Sequence, residues 1–172
     1  GDTTTGKPPI LLQHGITSSA DGWIINYPEV APAFVSARAG YDVWLGNNRG
    51  NKYSNTHQTL DFNSSAYWQF DWQENGIYDQ KAHFTYILNV TGYPNMPYVG
   101  HSQGSTQMFY ALSVDDWFKD KVSVFIAIGP VTKLPNTGDV TIIWGGEHYS
   151  TLSKAAWAYD ITHFGVPDGE PF

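Results

Sequence analysis

The chain contains no cysteine. That excludes disulfide staples, thiolate catalysis and cysteine-based zinc sites, although it leaves the compartment open. Basic residues are scarce. Nine Lys and Arg stand against sixteen Asp and Glu, for a net charge of −7. No run of Lys or Arg occurs, so the electrostatic footprint of a nucleic-acid binder is missing. The acidic excess bears on solubility and on nothing sharper. No apolar stretch is long enough to span a bilayer, so no transmembrane segment is expected. Internal repeats and low-complexity tracts are lacking too. The opening "GDTTTGKPP" offers neither an initiating Met nor a signal peptide, and it reads as a processed or truncated start.

What the chain does have is apolar and aromatic. Hydrophobic residues make up 41% and aromatics 16%, with seven Trp and eleven Tyr. A length of 172 residues with that composition can bury a real core in one domain. The aromatic surplus reads first as core and second as a lining for apolar substrates. Two sequons, Asn63-Ser64-Ser65 and Asn89-Val90-Thr91, offer glycan sites if the chain enters the secretory route.

Short apolar runs alternate with helical stretches, a pattern that predicts an α/β fold with a mainly parallel sheet. "ILLQHG", "YDVWLG", "PYVG" and "KVSVFIAIGP" read as strands, the last as a fully buried one. Helices are expected over "EVAPAFVSARAG", from Gly76 to Thr91 and from Gln103 to Ser113, giving the order β-α-β-α-β-α-β. "NNRGNKYSNTHQTL" is a polar loop. After Pro130 the texture changes. "VTIIW" reads as a further short strand, and "STLSKAAWAYDITHFG" as a helix capped at Ser150 or Ser153. The expected organisation is a partial core over residues 1–131. Residues 132–172 would be the beginning of a cap or a shortened end of the core.

The chemistry centres on "GHSQG", Gly100 to Gly104, which stands between a strand and a helix. A Gly-x-Ser-x-Gly turn in that setting holds its serine in a strained conformation and needs small neighbours. It lifts the Ser102 hydroxyl to the carboxyl end of the sheet, at a helix N-terminus, where developing negative charge is stabilised. An idle serine in a Gly-rich turn is the competing reading. In such a turn the Gln103 amide offers one oxyanion donor, and a second is expected after an earlier strand, at "QHG" followed by Ile16. His14 and His101 read as structural. His57 and His83 read as surface or packing residues, and Asp42, Asp71 and Asp79 as structural. Arg49 reads as pinning a loop through backbone carbonyls. Glu147-His148 lacks the second His of a metal motif, so neither metal nor cofactor is implied.

Five segments, "LLQHGITSSADGW", "AGYDVWLGNNRGNKYS", "YDQKAHFTYILNVTG", "YVGHSQGSTQMF" and "FIAIGPV", occur in order over about residues 8–131. Together they resemble the acid lipase family, the gastric and lysosomal lipases of the α/β-hydrolase superfamily. The resemblance implies an α/β-hydrolase core and hydrolysis of triacylglycerol or cholesteryl esters through an acyl-enzyme. By the same resemblance Ser102 is the nucleophile, and Gln103 and Ile16 give the oxyanion amides. A secreted or lysosomal location is implied as well. In that family the acid and the histidine follow a helical cap that begins after "GPV", here Gly129-Pro130-Val131. "ITHFGVPDGEPF" is similar to the start of that cap. On this reading the acid and base stand on another segment or a second chain.

A rival alignment sets "DVTIIWGGEH" against the late strand that carries the acid in this superfamily. Glu147 would then be the acid and His163 the base, with Asp139 or Asp160 and His148 as a weaker variant. The alternative of another class is a scaffold that kept the fold and lost the chemistry, serving as a structural module.

Overall fold

The structure is a computed structural model and describes residues 6–133 and 137–159. It divides into two compact units, residues 1–54 with 70–132 and residues 55–69 with 133–172.

The first unit is built on four parallel strands: β1 (Pro9–Gln13), β2 (Asp42–Gly46), β3 (Met96–His101) and β4 (Val122–Ile128), in the order β2-β1-β3-β4. Residue by residue, Gln13 pairs with both Gly46 and Gly100, so the strands end together at one edge of the sheet. The chain leaves β1 for β2 on one side and then returns to β3 on the other. That reversal opens a crevice beyond the carboxyl ends of β1 and β3, the place where open parallel sheets bind ligands.

Connections between parallel strands need crossovers, and right-handed ones put successive helices on opposite faces when the direction of travel reverses. Helix α1 (Pro32–Arg38) crosses between β1 and β2, with Pro at its start, where a missing N–H costs nothing. Ile10, Leu12, Trp23, Ala33 and Val99 pack together on its side of the sheet. The opposite face carries α3 (Gln80–Thr91), α4 (Gln103–Val114) and the short α5 (Trp117–Lys121). There Leu11, Phe84, Ile87, Met96, Tyr98, Met108 and Phe118 form the larger core. Neighbouring residues Leu11 and Leu12, like Tyr98 and Val99, thus serve opposite faces, as the two-residue period of a strand requires. A strand buried on both faces is an unbroken apolar run, which is why β1 reads as one.

The helix expected from Gly76 begins earlier. A single turn, α2 (Trp72–Glu74), is closed by a reciprocal capping box between Asp71 and Glu74. A π-turn over Asn75–Asp79 then leads into α3, and Gly92, at φ 74°, ends it in the left-handed conformation.

Two expectations about strands fail. β4 is not fully buried. Phe125 packs on the core, but Val124, Ile126 and Ile128 are 53, 46 and 43% exposed. β4 is the edge strand of the described sheet, and none of the first unit's helices has its buried residues grouped with Val124, Ile126 or Ile128. "VTIIW" is helical, within α6 (Val140–Glu147) of the second unit. Asp139 decides this by accepting from the backbone amides of Thr141 and Ile142 at 2.8 and 3.3 Å, a side-chain N-cap. A short apolar run has no periodicity with which to distinguish the two outcomes.

The helix expected around residues 150–165 is α7 (Tyr149–Ala158). It starts directly after His148, so neither Ser150 nor Ser153 caps it. The rest of the second unit's described part is the segment 55–69, where Tyr67 is buried against Phe62 and Trp68, ring centroids 5.3 and 5.1 Å away. No described helix is long and apolar enough to cross a membrane.

Candidate active site

The turn after β3 has the conformation its sequence demands. Ser102 adopts φ 51°, ψ −120°, a region that side-chain-bearing residues avoid at a cost of about 1–3 kcal/mol. Several bonds hold it there. The Ser102 amide donates to the Ile128 carbonyl at 2.9 Å, and the Ser105 hydroxyl donates to the Ser102 carbonyl at 2.5 Å. The buried Tyr98 hydroxyl donates to the Gly104 carbonyl at 2.7 Å. Burial pushes the Tyr98 phenol well above its ordinary range, so it stays a donor.

The glycines are required by contact. A Cβ on Gly100 would lie 2.7 Å from the Gly104 carbonyl group, and one on Gly104 would lie 2.7 Å from the carbonyl oxygens of Gln13 and His14. The turn is therefore wedged against the end of β1. Gly15 completes the fit: its Cβ would stand 2.9 Å from that of Ser102. The loop after β1 and the serine are in direct contact at the crevice between β1 and β3.

Three polar groups there are left free. Among the described residues the Ser102 hydroxyl, the Ile16 N–H and the Gln103 N–H make no hydrogen bond. Gln103 opens α4, so its amide is one of the orphan donors of a helix N-terminus. Ile16 is 63% exposed, and Thr17 beside it has φ 56°. A hydroxyl beside a helix N-terminus and a second free amide is an arrangement suited to a developing oxyanion.

The remaining sequence candidates are also placed. His14 is buried, and desolvation holds its imidazole below the ordinary range against the opposing pull of the Gly15 carbonyl. His101 turns its ring onto Trp23, edge to face at 6.5 Å. His83 is a packing residue whose ring burial also holds neutral. His57 is exposed and accepts from the amides of Thr59 and Leu60. Arg49 does pin a loop, but through a carboxylate rather than carbonyls: its amide and Nε donate to Asp79 at 2.9 and 2.7 Å. Glu147 closes α6 in the second unit, on a helix and not on the strand that the rival alignment assumed. His163 and Asp160 lie outside the described residues.

Sequence reasoning missed the polar network behind the loop. Gln13 Nε2 donates to Asn48 Oδ1 at 3.0 Å, and Asn47, Asn48 and Asn51 all bond within it. The run of amide side chains straight after β2 was the available signal.

A family model described as alpha/beta hydrolase fold matches residues 8–154. Lipase 1 of Drosophila melanogaster is 45% identical over 134 residues, 78% of this chain and 30% of that protein. Human lysosomal acid lipase/cholesteryl ester hydrolase is 40% identical over 128 residues, 74% of this chain and 32% of that protein. The chain thus spans about a third of the length of these relatives. Among solved structures, mature Bacillus licheniformis lipase BlEst2 superposes with a TM-score of 0.53, covering 93% of this chain and 52% of that one. At 22% identity that likeness shows the fold alone. The chain belongs to the alpha/beta hydrolase fold family, and these curated relatives that it resembles are lipases.

Proposed function

We propose that this chain carries the nucleophile and oxyanion hole of a serine hydrolase acting on lipid esters, triacylglycerol or cholesteryl ester. Ser102 Oγ attacks the ester carbonyl carbon, and the Ile16 and Gln103 amides receive the oxyanion. The tetrahedral adduct collapses with cleavage of the bond to the alcohol, leaving an acyl-enzyme that water hydrolyses. A histidine takes the serine proton and delivers it to the leaving alcohol, and a carboxylate orients that histidine.

One observation carries the reading: a serine at positive φ, packed against Gly15, beside two backbone amides without partners. The base and acid are taken from outside the described residues. His163 lies there, and the greater length of the relatives allows both groups on the same polypeptide. Residues 132–172 are read as the beginning of a cap. The exposed apolar side chains of Ile142, Ile143 and Trp144 on α6 support that assignment. A secreted or lysosomal location fits a lysosomal relative and the exposed Asn63 and Asn89 of the two sequons.

The test is covalent labelling. A fluorophosphonate, whose phosphoryl oxygen occupies an oxyanion hole, is expected to attach at Ser102 with loss of fluoride, located by peptide mass mapping. A folded protein that takes no label there refutes the proposal. Comparison of long-chain with short-chain esters then tests the lipid preference.

A further inference from the structure

The Ile16 amide is useful only if it points at the substrate, and a loop peptide can rotate. A trans peptide holds its C=O and N–H in one plane, pointing in opposite directions, so whatever holds the Gly15 carbonyl also aims the Ile16 N–H. The holder is His14. Its Nδ1 lies 2.7 Å from the Gly15 oxygen. That contact is a hydrogen bond only if Nδ1 bears the proton, and the surrounding network decides the matter.

The chain of donors begins at the backbone, where no ambiguity exists. The Ala20 amide donates to Asn47 Oδ1 at 3.0 Å, which fixes that oxygen as an acceptor. Asn51 Nδ2 stands 2.7 Å from the same oxygen and must be the donor. The Tyr53 amide, donating to Asn51 Oδ1 at 2.9 Å, fixes the Asn51 amide group in the same sense. Asn51 Nδ2 also reaches His14 Nε2 at 3.1 Å, and the Asn48 backbone amide donates to that nitrogen at 3.2 Å. Two donors converge on Nε2, so it carries a lone pair. In a neutral ring the proton is then on Nδ1, facing the Gly15 carbonyl.

Resting on the hydrolase reading, we propose that His14 is a positioning residue for the oxyanion hole. Its Nδ1–H clamps the Gly15 carbonyl so that the Gly15–Ile16 peptide presents the Ile16 N–H to the substrate. The asparagines of the loop after β2 set the tautomer that makes the clamp possible. His14 itself touches no reacting atom.

The two ring nitrogens do different work, and two substitutions separate them. In His14→Asn the side-chain amide nitrogen falls near the Nδ1 position and can still donate to the Gly15 carbonyl. In His14→Gln the side-chain oxygen reaches the Nε2 position and can still accept from Asn48, but the clamp is lost. The readout is the rate of fluorophosphonate attachment to Ser102, beside the thermal midpoint of each variant. His14→Asn is expected to label within about threefold of the wild type. His14→Gln is expected to label about tenfold to a hundredfold more slowly, less than the roughly hundredfold to thousandfold cost of removing an oxyanion donor outright, because the Ile16 amide is misaimed and not lost.

The opposite order, with Gln active and Asn impaired, would mean that the ring merely anchors the loop through Nε2, and would overturn the proposal. Equal labelling by both variants would overturn it too. Absence of label in the wild-type protein would instead remove the hydrolase reading, and this proposal with it. An independent check needs no variant. Nitrogen-15 NMR of the histidine rings at neutral pH is expected to show His14 with a protonated Nδ1 and a bare Nε2. The reverse tautomer refutes the clamp directly.

Discussion

Replacing Gly104 with alanine is the most direct test of how the serine turn is held. The new methyl carbon would stand 2.7 Å from the carbonyl oxygens of Gln13 and His14. That is about 0.7 Å inside ordinary contact, and both obstacles are backbone at the end of β1. Neither can swing aside as a side chain would, so α4 must move away from β1. Overpacking of this kind costs about 1–3 kcal/mol. Alanine returns at most about 1 kcal/mol through its better helix propensity in the first turn of α4. The net expectation is a loss of about 1–2 kcal/mol, or roughly 2–8 °C in the melting temperature of a chain this size.

The same displacement also pulls Ser102 off Gly15, because that contact is made through the same wedge. Fluorophosphonate labelling of Ser102 should therefore fall at least tenfold. Gly92→Ala is the matched control. Gly92 sits at φ 74° with nothing within 4 Å of an added Cβ, so alanine there costs about 1–2 kcal/mol by backbone strain alone. It should melt at a similarly lowered temperature and label normally. An unchanged melting temperature and label in Gly104→Ala would refute the wedge. Equal loss of label in Gly92→Ala would show that general destabilisation, not displacement of the turn, governs the serine.

Two further outcomes are expected. Ser102→Gly removes a side chain from a left-handed position, and should raise stability by about 1 kcal/mol in urea unfolding while abolishing the label; a destabilised glycine variant would mean that the turn stores no strain. Stability should also fall as the pH drops below about 6.5, because burial holds His14 and His83 below their ordinary range while the unfolded chain binds protons there freely. The slope is at most about 1.4 kcal/mol per pH unit for each group, and it ends at the folded-state values. Urea midpoints at pH 7.5 and 5.5 would check the sign, and a protein more stable at pH 5.5 would refute it.

The strands of the first unit were legible because each is a short apolar run closed by glycine, proline or polar residues. What the runs do not carry is their environment. Val122–Ile128 is as apolar as β1, yet Val124, Ile126 and Ile128 are exposed because β4 lies at the edge of the described sheet. Edge or centre is a property of the strand order, which is set by crossovers elsewhere in the chain. Val140–Trp144 was misread for a different reason. Five apolar residues suit a strand and a helix equally, and Asp139 alone tipped the balance by capping the first turn.

The serine turn could be read from five residues because its requirements are local: a strained φ at Ser102 and no room for side chains at Gly100 and Gly104. The groups that aim the second amide could not. His14 and Asn48 are 34 positions apart in sequence and meet only because β1 and β2 are parallel and end at the same level. A buried imidazole between two donors and one carbonyl can satisfy all three only as a neutral ring in one tautomer. The alignment of strand ends thereby becomes a choice of protonated nitrogen, and that choice becomes the direction of a peptide N–H. Register, tautomer and peptide orientation form one causal sequence. A change that slides β2 along β1 should therefore disable the Ile16 amide while leaving Ser102 and its glycines in place.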